Sequence, residues 1–240
     1  MHSENTEYVH LLERGGKRYW LKKRGEEKRN AVSLLINGFL TIYKPWRHLI
    51  LHSGLSPMQR FTKETSILAD CQRLNLPIPR LYTKGRAYFV TLCAGKPITT
   101  KQETENKTLF YSALNSLNSL HKAKIVHGRP AMRDMVVDSQ GKVILLDLEE
   151  ARRSASSLLR ARDILLFLLD SFRLSGVSQE TRLTALRQWC DEFHLSTIHI
   201  KRVSRLITHL IWVPKLILRF KNNRLSKQLL LTHRILSRVN

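Results

Sequence analysis

The sequence predicts an α+β protein in two lobes, a reduced strand-rich lobe followed by a mainly helical one. Three observations lead there. Short apolar runs about glycine turns occupy residues 8–23 and 80–92, the cadence of hairpins. Apolar residues at helical spacing dominate after residue 103. Between these regions Ala94-Gly95-Lys96-Pro97 breaks the chain, which gives lobes of residues 1–94 and 95–240. With 240 residues and 42% hydrophobic content, the chain can bury a sizeable core and is not globally disordered.

The elements follow in order. Arg14-Gly15-Gly16-Lys17 is a turn between two short strands, the second ending Tyr19-Trp20-Leu21-Lys22-Lys23. Residues 24–32 are highly charged and read as loop. Residues 32–52, around Lys44-Pro45-Trp46-Arg47, read as a helix and then a strand at His48–His52. Gly54-Leu55-Ser56-Pro57 ends that stretch. Residues 58–75 have helical spacing, with Phe61, Thr65, Leu68, Cys71 or Gln72, and Leu74 on the inner face and Glu64 early in the helix. Pro77 and Pro79 terminate it. Arg80–Thr83 and Tyr88–Leu92 read as strands about Lys84-Gly85-Arg86. A helix from Glu103 to Lys122 carries Leu109, Leu114, Leu117 and Leu120 on one face.

Leu120 to Glu150 holds the most informative stretch. Met135-Val136-Val137 and Val143-Ile144-Leu145-Leu146 flank Asp138-Ser139-Gln140-Gly141, a β-hairpin. Its two open ends meet, so Asp134 and Asp147 are expected side by side. Two carboxylates at one spot repel unless a cation joins them, and hard oxygen ligands suit Mg²⁺. A helix from Leu158 to Phe172 follows, with Arg162-Asp163 near its start. Another spans 179–193, with Leu183, Leu186, Trp189, Cys190 and Phe193 inward.

From Phe193 to Asn240 there is no Asp or Glu, and ten Lys or Arg lie between Lys201 and Arg238. This tail reads as two or three basic amphipathic helices broken near Pro214. Either it lies on an anionic bilayer, or its leucines complete the core of the second lobe while its charges face water. The second is the expectation for the leucines.

The formal net charge of +22 implies an anionic partner or surface. Nucleic acid is not the expected one, because no recognition-helix, zinc or RNP pattern is present. Cys71, Cys93 and Cys190 are scattered and lack metal spacing, which suits a reducing compartment. No signal-peptide shape and no apolar run of transmembrane length is seen, so the expected location is cytoplasmic.

Leu120-His121, Ile125-Val126-His127-Gly128 and Leu145-Leu146-Asp147-Leu148-Glu149 together resemble the protein-kinase-like fold, in the bacterial lipopolysaccharide kinase and Kdo kinase branch. Glu64, Leu68 and Leu76-Pro77-Ile78-Pro79 match the helix of its first lobe and the exit from it. The resemblance covers most of residues 15–175 and implies ATP and Mg²⁺ as cofactors. It implies that Lys22, with Lys23 as rival, pairs with Glu64 and orients the nucleotide. It implies that Asp147 binds metal, and that Asp134, thirteen residues earlier, takes the second metal position, normally Asn. Asp163 would brace the loop and His127 would be structural. The implied acceptor is a lipopolysaccharide-core sugar or related anionic membrane glycan, met at the inner face of the inner membrane.

Two departures stand out. The position of the general base, five residues before Asp134, holds Arg129, in an H-G-R-P-x-x-R-D variant of the loop. An alternative register makes Arg133-Asp134 the R-D pair with Asp134 as base. Arg129 and Arg133 can bind phosphate bidentately. No G-x-G-x-x-G loop precedes Lys22, and Gly15-Gly16 reads as a plain hairpin turn. Glu149 is a further candidate for the metal; alternatively Glu149 and Glu150 salt-bridge Arg152 and Arg153 at the surface. Loss of the base also motivates a pseudokinase reading, a binding or scaffold protein without transfer.

Overall fold

The computed structural model describes residues 8–25 and 56–239, so the helix and the His48–His52 strand expected within 32–52 lie outside the described residues. β1 (Val9–Arg14) and β2 (Lys17–Lys23) pair antiparallel across a two-residue turn. Gly15 and Gly16 take φ of +58° and +69°, the left-handed conformation that a type I′ turn demands and glycine accepts without strain. β3 (Leu81–Lys84) and β4 (Tyr88–Leu92) complete a four-stranded sheet in the order β1-β2-β4-β3. β2 sits beside β4 with Lys22 opposite Phe89.

Helix α1 (Pro57–Arg73) packs under this sheet. Its start is fixed by a capping box: Ser56 Oγ accepts from Gln59 N, and Gln59 Oε1 accepts from Ser56 N. Pro57 supplies a preset φ where no amide donor is needed. Phe61, Glu64, Thr65, Ile67, Leu68 and Cys71 are buried. Leu74, expected on this face, is 55% exposed. The helix ends one residue before it, and Asn75 turns left-handed at φ 54°, which swings Leu74 off the stripe.

The second lobe is built on α2 (Asn106–Lys122), whose Leu109, Leu114, Leu117 and Leu120 are all buried. Short strands β5 (Lys96–Pro97), β7 (Met135–Val137) and β8 (Val143–Leu145) form a three-stranded sheet, with β7 and β8 the expected hairpin. β6 (Ile125–Val126) pairs with β9 (Arg152–Arg153) and closes the base of the loop between them. Helices α3 (Ser157–Ser171) and α4 (Gln179–Glu192) follow, and Trp189 is fully buried against His121 and Phe193.

The basic tail forms three helices: α5 (His194–Leu210), α6 (Trp212–Phe220) and α7 (Arg224–Leu236). The break near Pro214 falls at Ile211, between α5 and α6. Pro214 itself sits buried in the first turn of α6, where a missing N–H costs nothing. The tail contributes Ile200, Ile235 and Leu236 to the core, but Leu210, Trp212, Leu216, Ile217, Phe220 and Leu225 are exposed. The expectation that its leucines complete the core therefore holds in part for α7, through Leu236, and fails for α6, while α5 contributes Ile200 and leaves Leu195 and Leu210 exposed. The α+β, two-lobed architecture is the one predicted.

Candidate functional site

The site lies where β2, α1 and the β7–β8 hairpin converge. Strand pairing aims Lys22 toward α1, and its Nζ donates to Glu64 Oε1 at 2.7 Å. The same ammonium lies 3.4 Å from Asp147 Oδ1. Lys22 rather than Lys23 is thus the pairing residue. Burial alone would lower the Lys22 pKa, but Glu64 and Asp147 outweigh it and hold it above its ordinary value. Glu64 is pushed up, because burial exceeds the stabilisation that Lys22 provides.

The hairpin delivers the two aspartates as expected. Met135 is opposite Leu145, and the next backbone bond runs from Leu146 N to Asp134 O at 2.8 Å. Asp147 then turns left-handed at φ 55°, a conformation Asp tolerates better than most residues, and opens the short 3₁₀ turn Leu148–Glu150. Its carboxylate takes Lys22 on one oxygen and Arg129 Nη2, at 2.8 Å, on the other. Burial works against that charge, yet Lys22 and Arg129 together hold the Asp147 pKa below the usual carboxylate range. Asp134 shifts the opposite way: burial and the nearby Asp147 charge raise it, against weaker help from Arg133 and Arg129.

Asp134 Oδ2 is buried without a hydrogen bond, and its nearest cation is Arg133 Nε at 3.5 Å. With only that long ion pair and no hydrogen bond, the carboxylate suits a further cation. Among the described residues no three His, Cys, Asp or Glu side chains are grouped to hold a metal. A donor pair such as Asp134 and Asp147 instead fits Mg²⁺ that also takes phosphate oxygens and water.

The loop from His127 to Arg133 is held from beneath. Asp163, fully buried, accepts from His127 N at 2.7 Å and Gly128 N at 2.9 Å, with His121 Nε2 at 3.2 Å. His127 Nε2 donates to Leu146 O at 3.0 Å, which ties the loop to the hairpin. Burial lowers the His127 pKa and keeps the ring neutral, so His127 is structural here, as is Asp163. Asp170 of α3 accepts from Met132 N at 2.7 Å, a second brace that the sequence reading missed.

A cavity of about 610 Å³ joins these parts. Lys22, Glu64, Asp134, Asp147 and Glu149 bring charge to it, while Trp20, Phe89, Val136 and Leu146 give it apolar walls. Ala94 and Gly95, from the predicted break, line it as well, whereas Gly15 and Gly16 do not. Glu149 is not a surface partner of Arg153: it accepts from Arg60 Nη1 at 2.8 Å, and Arg153 pairs with Asp70 instead. Arg60, 4% exposed, was missed by sequence reasoning. The signal was available, since Arg60 lies one helical turn before Glu64 on the same buried face.

No protein-family model matches the chain. An uncharacterised protein of Haemophilus influenzae is 28% identical over 224 residues, covering 90% of this chain and 83% of the relative. Among solved structures, the Cydia pomonella granulovirus kinase PK-1 is similar at 12% identity and a TM-score of 0.41, over 71% of this chain and 65% of that one, just under two thirds of its length.

Proposed function

We propose that the chain is an ATP- and Mg²⁺-dependent phosphotransferase of the protein-kinase-like type, acting on a lipopolysaccharide-core sugar or related membrane glycan. The observation that carries this is one chain of contacts: Lys22 between Glu64 and Asp147, in a cavity shared with Asp134. Protein kinases use a strand lysine paired with a helix glutamate to orient phosphates, and an aspartate with a second ligand to hold metal. Here β2 provides the lysine and α1 the glutamate. Asp134 and Asp147 would hold the ion, and Mg²⁺ when bound supplies charge neutralisation at the phosphate oxygens. The apolar walls suit a nucleotide base.

The exposed face of α6 supports a peripheral membrane position. Trp212, Leu216 and Phe220 project to solvent beside Lys215 and Arg219, the composition of a helix that lies in an anionic interface. Among the described residues no helix is long and apolar enough to cross a membrane.

A thermal-shift titration with ATP, with and without Mg²⁺, tests the reading. A shift enlarged by Mg²⁺ and abolished in Asp147→Asn is expected, and the absence of any nucleotide-dependent shift overturns it. A second reading, a pseudokinase that binds without transfer, is favoured by one observation. Arg129 stands where the base is expected, and it holds Asp147. Nucleotide binding without transfer to a lipopolysaccharide acceptor would select that reading.

A further inference from the structure

On the far side of the His127–Arg133 loop lies a second cavity of about 350 Å³, and none of the preceding chemistry uses it. The loop gives it Arg129, Pro130, Ala131 and Arg133; α3 gives Leu166, Leu169, Asp170 and Arg173; α7 gives Arg224, Leu225 and Gln228. Four arginines thus line it with one aspartate. That carboxylate is already committed, accepting from Met132 N on one oxygen and from Arg173 Nε on the other. Arg129 and Arg133 also pair with Asp147 and Asp134, so the cavity keeps a smaller positive excess, at Arg224, beside an apolar wall of Leu166, Leu169 and Leu225.

Gln228 is the second, independent observation. The residue is 8% exposed, and its Nε2 is fully buried with no hydrogen-bond partner. A buried amide donor left unsatisfied costs stability, and native proteins rarely keep one without a reason. Nε2 itself has no accessible surface, so a ligand oxygen in the cavity that Gln228 lines would supply the missing acceptor once the side chain rotates toward it. Guanidinium forks match the oxygens of a phosphate in bidentate geometry, and several of them around one small cavity suit a doubly charged group better than a single carboxylate.

We propose that this cavity binds a phosphomonoester and is the acceptor side of the site, so that the acceptor is already phosphorylated before it meets this protein. The acceptor role rests on the phosphotransferase reading; the anion site does not. Arg129 joins the two cavities, since it lines the second and bonds Asp147 in the first. A phosphate in the second cavity competes with Asp147 for that guanidinium and frees the carboxylate.

The test measures binding of glucose 6-phosphate by isothermal titration calorimetry, with glucose as the uncharged control. Three variants of the full chain are compared: Arg224→Gln and Gln228→Met in the cavity, and Arg202→Gln on the exposed surface of α5, which makes the same charge change as Arg224→Gln. Expected are binding of the phosphate but not of glucose, a loss of about 5-fold or more in both cavity variants, and no change in Arg202→Gln. Gln228→Met is also expected to be no less stable than the wild type, because it removes an unsatisfied group. Vesicles containing phosphatidic acid form a second arm. Loss of vesicle binding in the cavity variants, with no binding of the sugar phosphate, places the same phosphomonoester on a lipid. Equal weakening by Arg202→Gln, or unchanged binding in both cavity variants, or no binding of either probe, overturns the proposal. The ATP thermal shift is read in parallel on each variant, so failure of the nucleotide site and failure of the phosphate site remain distinct.

Discussion

Replacing Lys22 by Met removes the cation that offsets Glu64 and keeps most of the side-chain volume. The Glu64 side chain is only 7% exposed and lies 2.7 Å from the ammonium, so Lys22→Met strands a carboxylate in the interior. Removing one member of a buried pair costs about 3–5 kcal/mol, and the lower figure applies because solvent reaches part of Lys22. In a chain of this size each kcal/mol moves Tm by about 2–4 °C, so a loss of about 6–12 °C is expected. The loss also depends on pH, with a definite sign. Burial already holds the Glu64 pKa above its ordinary value, with Lys22 opposing it, and without Lys22 the pKa rises further. A carboxyl whose folded pKa exceeds its unfolded one binds more protons in the folded state. Its destabilisation is therefore full above the folded pKa and fades as pH falls toward the unfolded value. Urea unfolding of wild type and Lys22→Met at about pH 8 and about pH 5 reads this directly, the difference between the two proteins shrinking at the lower pH. Glu64→Gln, which leaves Lys22 with Asp147, should cost less than Lys22→Met. A Lys22→Met penalty equal at both pH values refutes the claim that Glu64 is a buried charge held by Lys22.

Gly128→Ala should cost about 2–4 kcal/mol in chemical denaturation, since φ is +90° there and an added Cβ would clash with Glu150 O. Asp163→Asn weakens the bonds from His127 N and Gly128 N and should cost about 1.5–3 kcal/mol, seen as a lower urea midpoint. Burial, with Asp70 adding to it, pushes the Cys71 thiol up to about 12, so a thiol reagent at neutral pH should modify the half-buried Cys93 and spare Cys71, as peptide mass mapping would show. Arg129→Met should tighten Mg²⁺-nucleotide binding by about 1.4- to 5-fold in calorimetry, the equivalent of releasing one solvent-exposed ion pair.

The parts of the site that local sequence encodes were legible. Asp134 and Asp147 could be placed together because a hairpin is a short-range object: two apolar runs and a glycine turn fix its register. The Lys22–Glu64 pair was accessible only through resemblance. The two residues lie 42 positions apart on different elements, and no local period links a strand lysine to a helix glutamate. Arg60 was overlooked because arginine is usually solvated, although its place on the buried stripe of α1 marked it. Pro214 marked the tail's break to within three residues, because the first turn of a new helix accepts proline. The unsatisfied amide of Gln228 and the brace from Asp170 to Met132 N left no trace in the sequence, since both depend on how α3 and α7 pack about the loop.

Arg129 does not by itself decide between transfer and mere binding. Its side chain is 52% exposed and its contact with Asp147 is open to solvent and salt, so the pair is worth about 0.2–1 kcal/mol. A divalent ion arriving with nucleotide phosphates brings twice the charge of a guanidinium to the same carboxylate, and also satisfies the buried Asp134 Oδ2. The ion pair is thus too weak to bar a metal. What Arg129 removes is the carboxylate expected at its position, and phosphoryl transfer depends chiefly on positioning and charge stabilisation. The pKa values of Asp134 and Asp147 are displaced in opposite directions within one cavity, because the cations sit closer to Asp147. Asp147 is kept charged by Lys22 and Arg129, while Asp134 is kept more easily protonated by burial and by Asp147. The loop therefore retains two carboxylates placed to share a cation, although its sequence lacks the usual base.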